Sequence, residues 1–265
     1  MSNPLLNDKA MQKAANAGWA APDPSTRSTA IDDGPISTWS RGVMTVQGTA
    51  SATGVLMILL LASATVGWMS VDSSTTGFPG IALLGVAVGF ACVIALMFRP
   101  MWARVLAPVY ALAEGYFVGV VSKFYEGQQD GIVLQAVGAT LATFLVMLLL
   151  YRTNIIKVTD RFRRIVIGAT MGIMLLYVVS FVIRLVAGAD SVSFLNSPSA
   201  FGIAFSVFVC GLAAMNLALD FDFIEKASAA RMPKGMEWFA AFGLLVTVVW
   251  LYLEILRLLS KLNRR

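Results

Sequence analysis

The sequence NLALDFDFIEKA, residues 216–227, places Asp220 and Asp222 at the end of a long apolar run. A carboxylate in such a run is costly unless it faces protein, water or an ion. A membrane-spanning helix needs about 20 apolar residues, and runs of that length recur along the chain. Acids at this depth therefore indicate a function.

The composition is that of a membrane protein. Hydrophobic residues make up 58% of the chain and charged residues 13%, whereas charged residues reach about 25% in soluble domains. Seven apolar runs are long enough to span: roughly 50–70, 78–98, 103–122, 131–151, 165–187, 201–224 and 236–259. We therefore predict an all-α polytopic membrane protein with seven transmembrane helices. These runs leave no room for a soluble catalytic domain, so we expect no enzyme.

The chain divides into two parts. Residues 1–45 are rich in Ser, Thr, Pro, Ala and Asp without apolar periodicity, so they cannot bury enough surface to fold alone. We predict that 1–45 is a disordered cytoplasmic tail and that 46–265 is a seven-helix membrane domain.

The basic residues predict the orientation. Lys and Arg concentrate in the N-terminal tail and in every second connection, which favours a cytoplasmic N-terminus. The C-terminal tail departs from this pattern, because seven spans would place Arg257, Lys261, Arg264 and Arg265 outside. Either the last helix crosses against the charge bias, or it is a re-entrant element shielded by protein.

The histidine and cysteine content narrows the range of possible chemistry. The chain has no histidine, which excludes His-ligated zinc, haem held through His, and Ser-His or Cys-His nucleophilic catalysis. Cys92 and Cys210 both lie inside apolar runs, where a free cysteine packs as a small hydrophobic residue. We expect no bound cofactor and no nucleic-acid partner.

Four acids lie in apolar surroundings: Glu114, Asp220, Asp222 and Glu254. Two carboxylates brought together away from water cannot both ionise at low cost, so they share a proton and form a pH-operated latch. No EF-hand pattern occurs, and tight calcium sites need 6 to 8 oxygen ligands. Weak, transient calcium coordination suits an ion pathway.

Each acid also has a simpler interpretation. Asp222 could be solvated beside Lys226, and Glu254 could pair with Arg257 three residues on. Glu114 could be a neutral structural acid. Asp220 is the hardest of the four to explain without a function.

Arg99 and Arg104 flank the connection between the second and third runs. They are either cytoplasmic anchors or, in the sharper hypothesis, a gating partner that reaches a deprotonated carboxylate.

Small residues four apart recur in Gly85/Gly89, Gly115/Gly119 and Gly168/Gly172. This spacing predicts close approach of helix backbones in lipid.

Three strings resemble the bacterial branch of the Bax inhibitor family, also called the transmembrane Bax inhibitor motif family: APVYALAEGYFVG (107–119), LDFDFIEKA (219–227) and WLYLEILRLL (250–259). The resemblance covers the first run to the C-terminus. It implies a multi-pass bacterial inner (plasma) membrane protein whose last helix is surrounded by the other six. It also implies a pH-sensitive calcium leak, with membrane lipid, calcium ions and protons as partners.

The same resemblance implies an acidic pair from helices six and seven and an Arg near helix two that closes the pathway. By position, Asp220 and Glu254 match the pair, although the family pattern has Asp where this chain has Glu254. Arg99 is the nearest match for the basic residue and Arg104 the second. The two acids differ in predicted depth by about 18 Å at 1.5 Å per residue, which a re-entrant or extended last helix would correct.

Several functions fit these residues. The first is a pH-sensitive calcium (cation) leak channel in which Asp220 and Glu254 bind calcium weakly and share a proton. The second is a proton-coupled transporter using the same acids as a relay. An intramembrane aspartyl protease is disfavoured because no G-x-G-D string surrounds either acid. A stress or quality-control regulator without transport stays open, as does the oligomeric state.

Overall fold

The structure is a computed structural model. It describes residues 42–71, 80–187 and 198–264. The predicted tail, 1–45, lies outside the described residues except at its last four positions.

The described residues form seven long α-helices and no strand, which confirms the predicted fold class. We number them α1 Val46–Met69, α2 Gly80–Phe98, α3 Ala103–Glu126, α4 Ile132–Arg152, α5 Asp160–Ala187, α6 Ala200–Ala229 and α7 Met236–Asn263. A short 3-10 helix, Pro100–Trp102, precedes α3. All seven are long and apolar enough to cross a membrane.

The last helix is central. Its most apolar stretch is 67% buried, against 17–44% for the other six helices. It packs against α1, α3, α4 and α6, while α2 packs mainly on α3. The helix is continuous for 28 residues, so it crosses as a single element. The re-entrant alternative is wrong, because such an element would have to turn back within this range.

The bundle has two ends, which we name by their residues. The Thr45 end holds the start of α1, the 3-10 helix and the turn before α7. There Met44 N donates to Met232 O at 2.7 Å. The C-terminal end holds the connection between α3 and α4 and the last turn of α7. There Gln129 Nε2 donates to Ser260 O at 3.3 Å.

Glycines let α1 and α3 pack backbone to backbone. A Cβ on Gly119 would lie 2.0 Å from Ala64 O, and one on Gly115 would lie 2.4 Å from Leu60 O. Both distances are far below contact, so neither position accepts a side chain without separating the helices. The predicted packing role of Gly115 and Gly119 is confirmed.

The other two glycine pairs differ from each other. A Cβ on Gly85 would lie 2.8 Å from Ala113 O, so α2 also approaches α3 closely. Gly168 and Gly172 have nothing within 4 Å of their Cβ positions. The prediction for this last pair is wrong, because that face of α5 meets no helix.

Helices α6 and α7 run antiparallel with a definite register. At one end Lys261 Nζ donates to Gly202 O at 3.0 Å and to Ser206 Oγ at 2.7 Å. Further along, Asp220 Oδ1 lies 3.9 Å from the Cβ position of Gly243. Residues nearer the start of α6 therefore lie beside residues nearer the end of α7.

We predict that Gly119→Ala lowers the stability of the bundle, whereas Gly168→Ala does not. The new methyl group on Gly119 would overlap a backbone carbonyl, and overpacking of this kind costs about 1–3 kcal/mol. Thermal unfolding of the two purified variants in detergent measures the difference. Equal melting temperatures would contradict the proposed α1–α3 contact.

Candidate functional site

Glu254 is enclosed in a polar cluster made by α5 and α7. Its side chain is 2% exposed, and its Oε1 lies 2.8 Å from Arg257 Nη1. Tyr177 OH donates to the same oxygen at 2.9 Å and accepts from Arg257 Nη1 at 2.9 Å. The guanidinium also lies over the Tyr177 ring, 5.2 Å from its centroid. The local pairing with Arg257 is therefore formed, and α5 adds a third member.

Asp222 forms the second cluster, toward the Thr45 end. Its side chain is 7% exposed, and Oδ2 contacts both Arg163 Nη2 at 2.7 Å and Lys226 Nζ at 2.8 Å. The expected neighbour Lys226 is present, but the carboxylate is buried rather than solvated. Arg163 comes from the first turn of α5, so this pair joins α5 to α6.

Asp220 lies at the α6–α7 interface, and its surroundings differ from those of Glu254 and Asp222. Its Oδ2 is buried and has no hydrogen-bond partner among the described residues. On the facing helix are Gly243 and Thr247, whose hydroxyl is within hydrogen-bonding reach of the carboxylate. No basic side chain in the described ranges forms an ion pair with Asp220. It is therefore a half-buried acid with one buried oxygen and with no counter-ion among the described residues.

The structure does not bring Asp220 and Glu254 together. The α6–α7 register sets Asp220 level with Gly243 and Thr247, which precede Glu254 by two to three turns. At 1.5 Å per residue this is a separation of about 10–16 Å along the axis. The direct carboxylate pair is absent in this conformation because each acid follows the antiparallel register of its helix. The depth difference expected from sequence is real, and the extended start of α7 does not remove it.

Glu114 occupies a third position, at the contact of α2 with α3. A Cβ on Gly89 would lie 3.1 Å from its Oε2, and the Tyr110 ring is beside it. It is partly buried, and it forms no ion pair with the described basic residues. Glu114 is thus next to a small-residue contact, and its predicted ion-binding role stays a prediction.

The two arginines proposed as gating partners are exposed. Arg99 precedes the 3-10 helix and Arg104 lies in the first turn of α3. Neither forms an ion pair with a described acid. The nearby Met101 lies against Gly235, at the start of α7, about 12 Å along the helix from Gly243. The basic partners of the buried acids are instead Arg257, Arg163 and Lys226.

Glu237 is a buried acid that the sequence reasoning missed. It is 5% exposed and accepts hydrogen bonds from Thr45 N and Thr45 Oγ1, both at 3.0 Å. The carboxylate thereby satisfies the start of α1, where helix amide groups favour negative charge. The sequence signal that could have identified Glu237 is its position at the start of the last apolar run, in the first turn of α7.

These features define a polytopic helical membrane protein with several acids inside its bundle, of which Asp222 and Glu254 are paired with basic side chains and Asp220 is not. The chain belongs to the Bax inhibitor 1 like family, whose family model matches residues 3–264. The resemblance noted from three strings is confirmed. A search of curated proteins found no match.

We predict that Arg257→Gln destabilises the protein more than the double change Glu254→Gln with Arg257→Gln. Removing only the base leaves a buried carboxylate without its counter-ion, which costs about 3–5 kcal/mol, whereas removing both charges avoids that penalty. Thermal unfolding in detergent compares the two variants with the unchanged protein. If the double variant is no more stable than the single one, the ion pair is not what holds this cluster.

Proposed function

We propose that this family member is a pH-sensitive cation leak channel, with calcium as the permeating ion. The observation that carries the proposal is Asp220, a half-buried acid whose Oδ2 atom is buried and unsatisfied and which has no counter-ion among the described residues. Such a group costs several kcal/mol in an apolar interior unless it is protonated or meets a cation. A membrane protein that retains it has a use for one of those two states.

The surroundings of Asp220 suit a passing ion. The residues that face the carboxylate are Gly243, whose Cβ position lies 3.9 Å from Asp220 Oδ1, and Thr247, whose hydroxyl donates to Gly243 O at 3.2 Å. Oxygen donors are the ligands that calcium prefers, but a tight site needs 6 to 8 of them. The described residues contain no group of three or more Cys, Asp or Glu placed to hold a metal. We therefore treat calcium as substrate, bound weakly and released.

Protons act on the same carboxylate. When Asp220 is protonated it is neutral and can remain packed against α7. When it loses the proton, the charge has no base to pair with and attracts a cation into the α6–α7 interface. On this proposal cation flux rises as the pH rises through the titration of Asp220.

Glu254 has a different part in this scheme. Because Arg257 and Tyr177 already satisfy it, it acts as a fixed structural acid in this conformation. A proton-shared pair with Asp220 would require α6 and α7 to slide or rotate and Glu254 to leave Arg257. We propose that any such pairing belongs to another conformational state.

We also propose a bacterial inner (plasma) membrane location with a cytoplasmic N-terminus. The basic residues that the structure describes lie mostly toward the Thr45 end, where they include Arg99, Arg104, Arg152, Lys157, Arg161, Arg163, Arg164, Lys226, Arg231 and Lys234. The positive-inside rule then assigns that end to the cytoplasm.

A proton-coupled transporter is the second candidate. It is favoured by the placement of Asp222, Asp220 and Glu254 at successive depths, since acids in series are used as proton relays. Calcium flux in the absence of a proton gradient distinguishes the two, because a leak channel conducts under that condition and a coupled transporter does not.

We predict that Asp220→Asn removes the pH dependence of calcium entry into proteoliposomes. Asparagine is close in shape but cannot lose a proton, so the variant is held in the neutral state and flux is low at every pH. Calcium entry measured with an entrapped dye across a pH series tests this.

Asp130→Asn provides the matched control, because it makes the same chemical change at an exposed position at the C-terminal end. The control variant should keep the pH profile of the unchanged protein. An Asp220→Asn variant that also keeps that profile would remove Asp220 from the mechanism.

A further inference from the structure

A cavity of about 330 Å³ opens at the C-terminal end, between the last turns of α3 and α7. Its polar lining is Tyr125, Gln128, Arg257, Ser260, Lys261 and Arg264. Three of these are cationic and none is acidic. The volume falls within the range of ligand pockets, which begins near 300 Å³.

Lys261 is the most unusual member of this wall. It is 3% exposed, and its ammonium group donates to Gly202 O and to Ser206 Oγ of α6. An ammonium group has three N–H donors, so these two neutral acceptors satisfy two of them and one N–H of Lys261 is available to a ligand. No carboxylate among the described residues is within ion-pair distance of Lys261. A buried cation in this condition is costly until an anion accompanies it.

The two arginines add to this charge. Among the described residues, Arg264 donates to the neutral Gln128 side chain and forms no ion pair. Arg257 is paired with Glu254 and is also a lining residue of the cavity. The cavity therefore carries a net positive charge, at an end where the helices meet the membrane surface.

We propose that this cavity binds a phosphate-type anion, with Lys261 and Arg264 as its principal ligands. Arginine matches phosphate oxygens with paired N–H donors, and lysine supplies a compact positive charge. Basic pockets between transmembrane helices bind phosphate-bearing lipid headgroups by this chemistry. The anion is either the headgroup of an anionic lipid or free phosphate.

Occupancy of the cavity acts on the Glu254 cluster through Arg257. An anion in the cavity competes with Glu254 for the same guanidinium, so binding weakens the hold of Arg257 on the buried acid. The cavity is remote from Asp220, which lies at least 14 residues along α6 from Ser206, about 21 Å. The proposal therefore stands whether or not Asp220 conducts calcium.

The test uses the full chain in two settings, with melting temperature as the readout. In uncharged detergent, inorganic phosphate is titrated against chloride at constant ionic strength. In lipid nanodiscs, a phosphatidylglycerol mixture is compared with pure phosphatidylcholine. We expect saturable stabilisation and an apparent affinity about 10- to 100-fold weaker in Arg264→Gln, since the variant loses a charge-assisted hydrogen bond to the anion.

Three variants make the result specific. Arg264 is exposed, so Arg264→Gln keeps the test valid if Lys261→Met does not fold. Arg152→Gln removes the same charge from an exposed position at the Thr45 end and should bind as the unchanged protein does.

The outcomes separate the sources of the anion. Stabilisation by phosphatidylglycerol alone identifies a lipid headgroup, and stabilisation by inorganic phosphate identifies the free ion or a chemistry common to both. The proposal is overturned if neither anion stabilises the protein, or if Arg264→Gln and any folded Lys261→Met variant respond like the unchanged chain.

Discussion

A charge inside an apolar bundle must be met by another charge, a hydrogen-bond donor or an ion, and this constraint organises the molecule. Glu254 is met by Arg257 and Tyr177, Asp222 by Arg163 and Lys226. These contacts tie α5 to α6 and to α7, in addition to the apolar cluster that Val166 and Ile173 of α5 form with Val209 and Leu212 of α6. Breaking such a pair on one side is far more costly than never having formed it. The clusters therefore restrict how the central helix can shift, because any motion of α7 must break or rearrange their contacts.

Much of the fold can be predicted from the length of the apolar runs. A helix must reach a minimum length to span the bilayer, and it satisfies the backbone hydrogen bonds that lipid cannot. The site is less predictable, because contacts between side chains of different helices depend on how the helices are aligned along their axes. The pairing of Glu254 with Arg257 is local and could be seen as an i, i+3 spacing. Tyr177 comes from a helix far away in sequence, and nothing in its own surroundings marks it as the third member. The same holds for Arg163, which sequence reasoning treated only as part of a basic connection.

Glycine spacing illustrates the same limit. Gly115 and Gly119 meet α1 at distances that no side chain could fill, whereas Gly168 and Gly172 meet nothing in the described structure. Both pairs carry the same four-residue spacing, which places two small residues on one helix face but does not say what that face contacts. Only the assembled bundle assigns a partner. A motif defined within one helix predicts the possibility of close packing, and the neighbouring helix decides whether it occurs.

Asp220, Asp222 and Glu254 differ because the helix register places different neighbours beside each of them. Asp222 and Glu254 are already neutralised, so neither gains by binding an ion unless a base is first displaced. Asp220 faces glycine and threonine, and only it among these acids keeps an unsatisfied buried oxygen in the described residues. At the other end of the same interface, Lys261 is a buried cation without an acid. If the two helices slid far enough to bring Asp220 toward Lys261, they would have to travel about 20 Å, which a packed bundle does not allow. Within the described residues, neither group therefore meets an opposite charge from the protein itself.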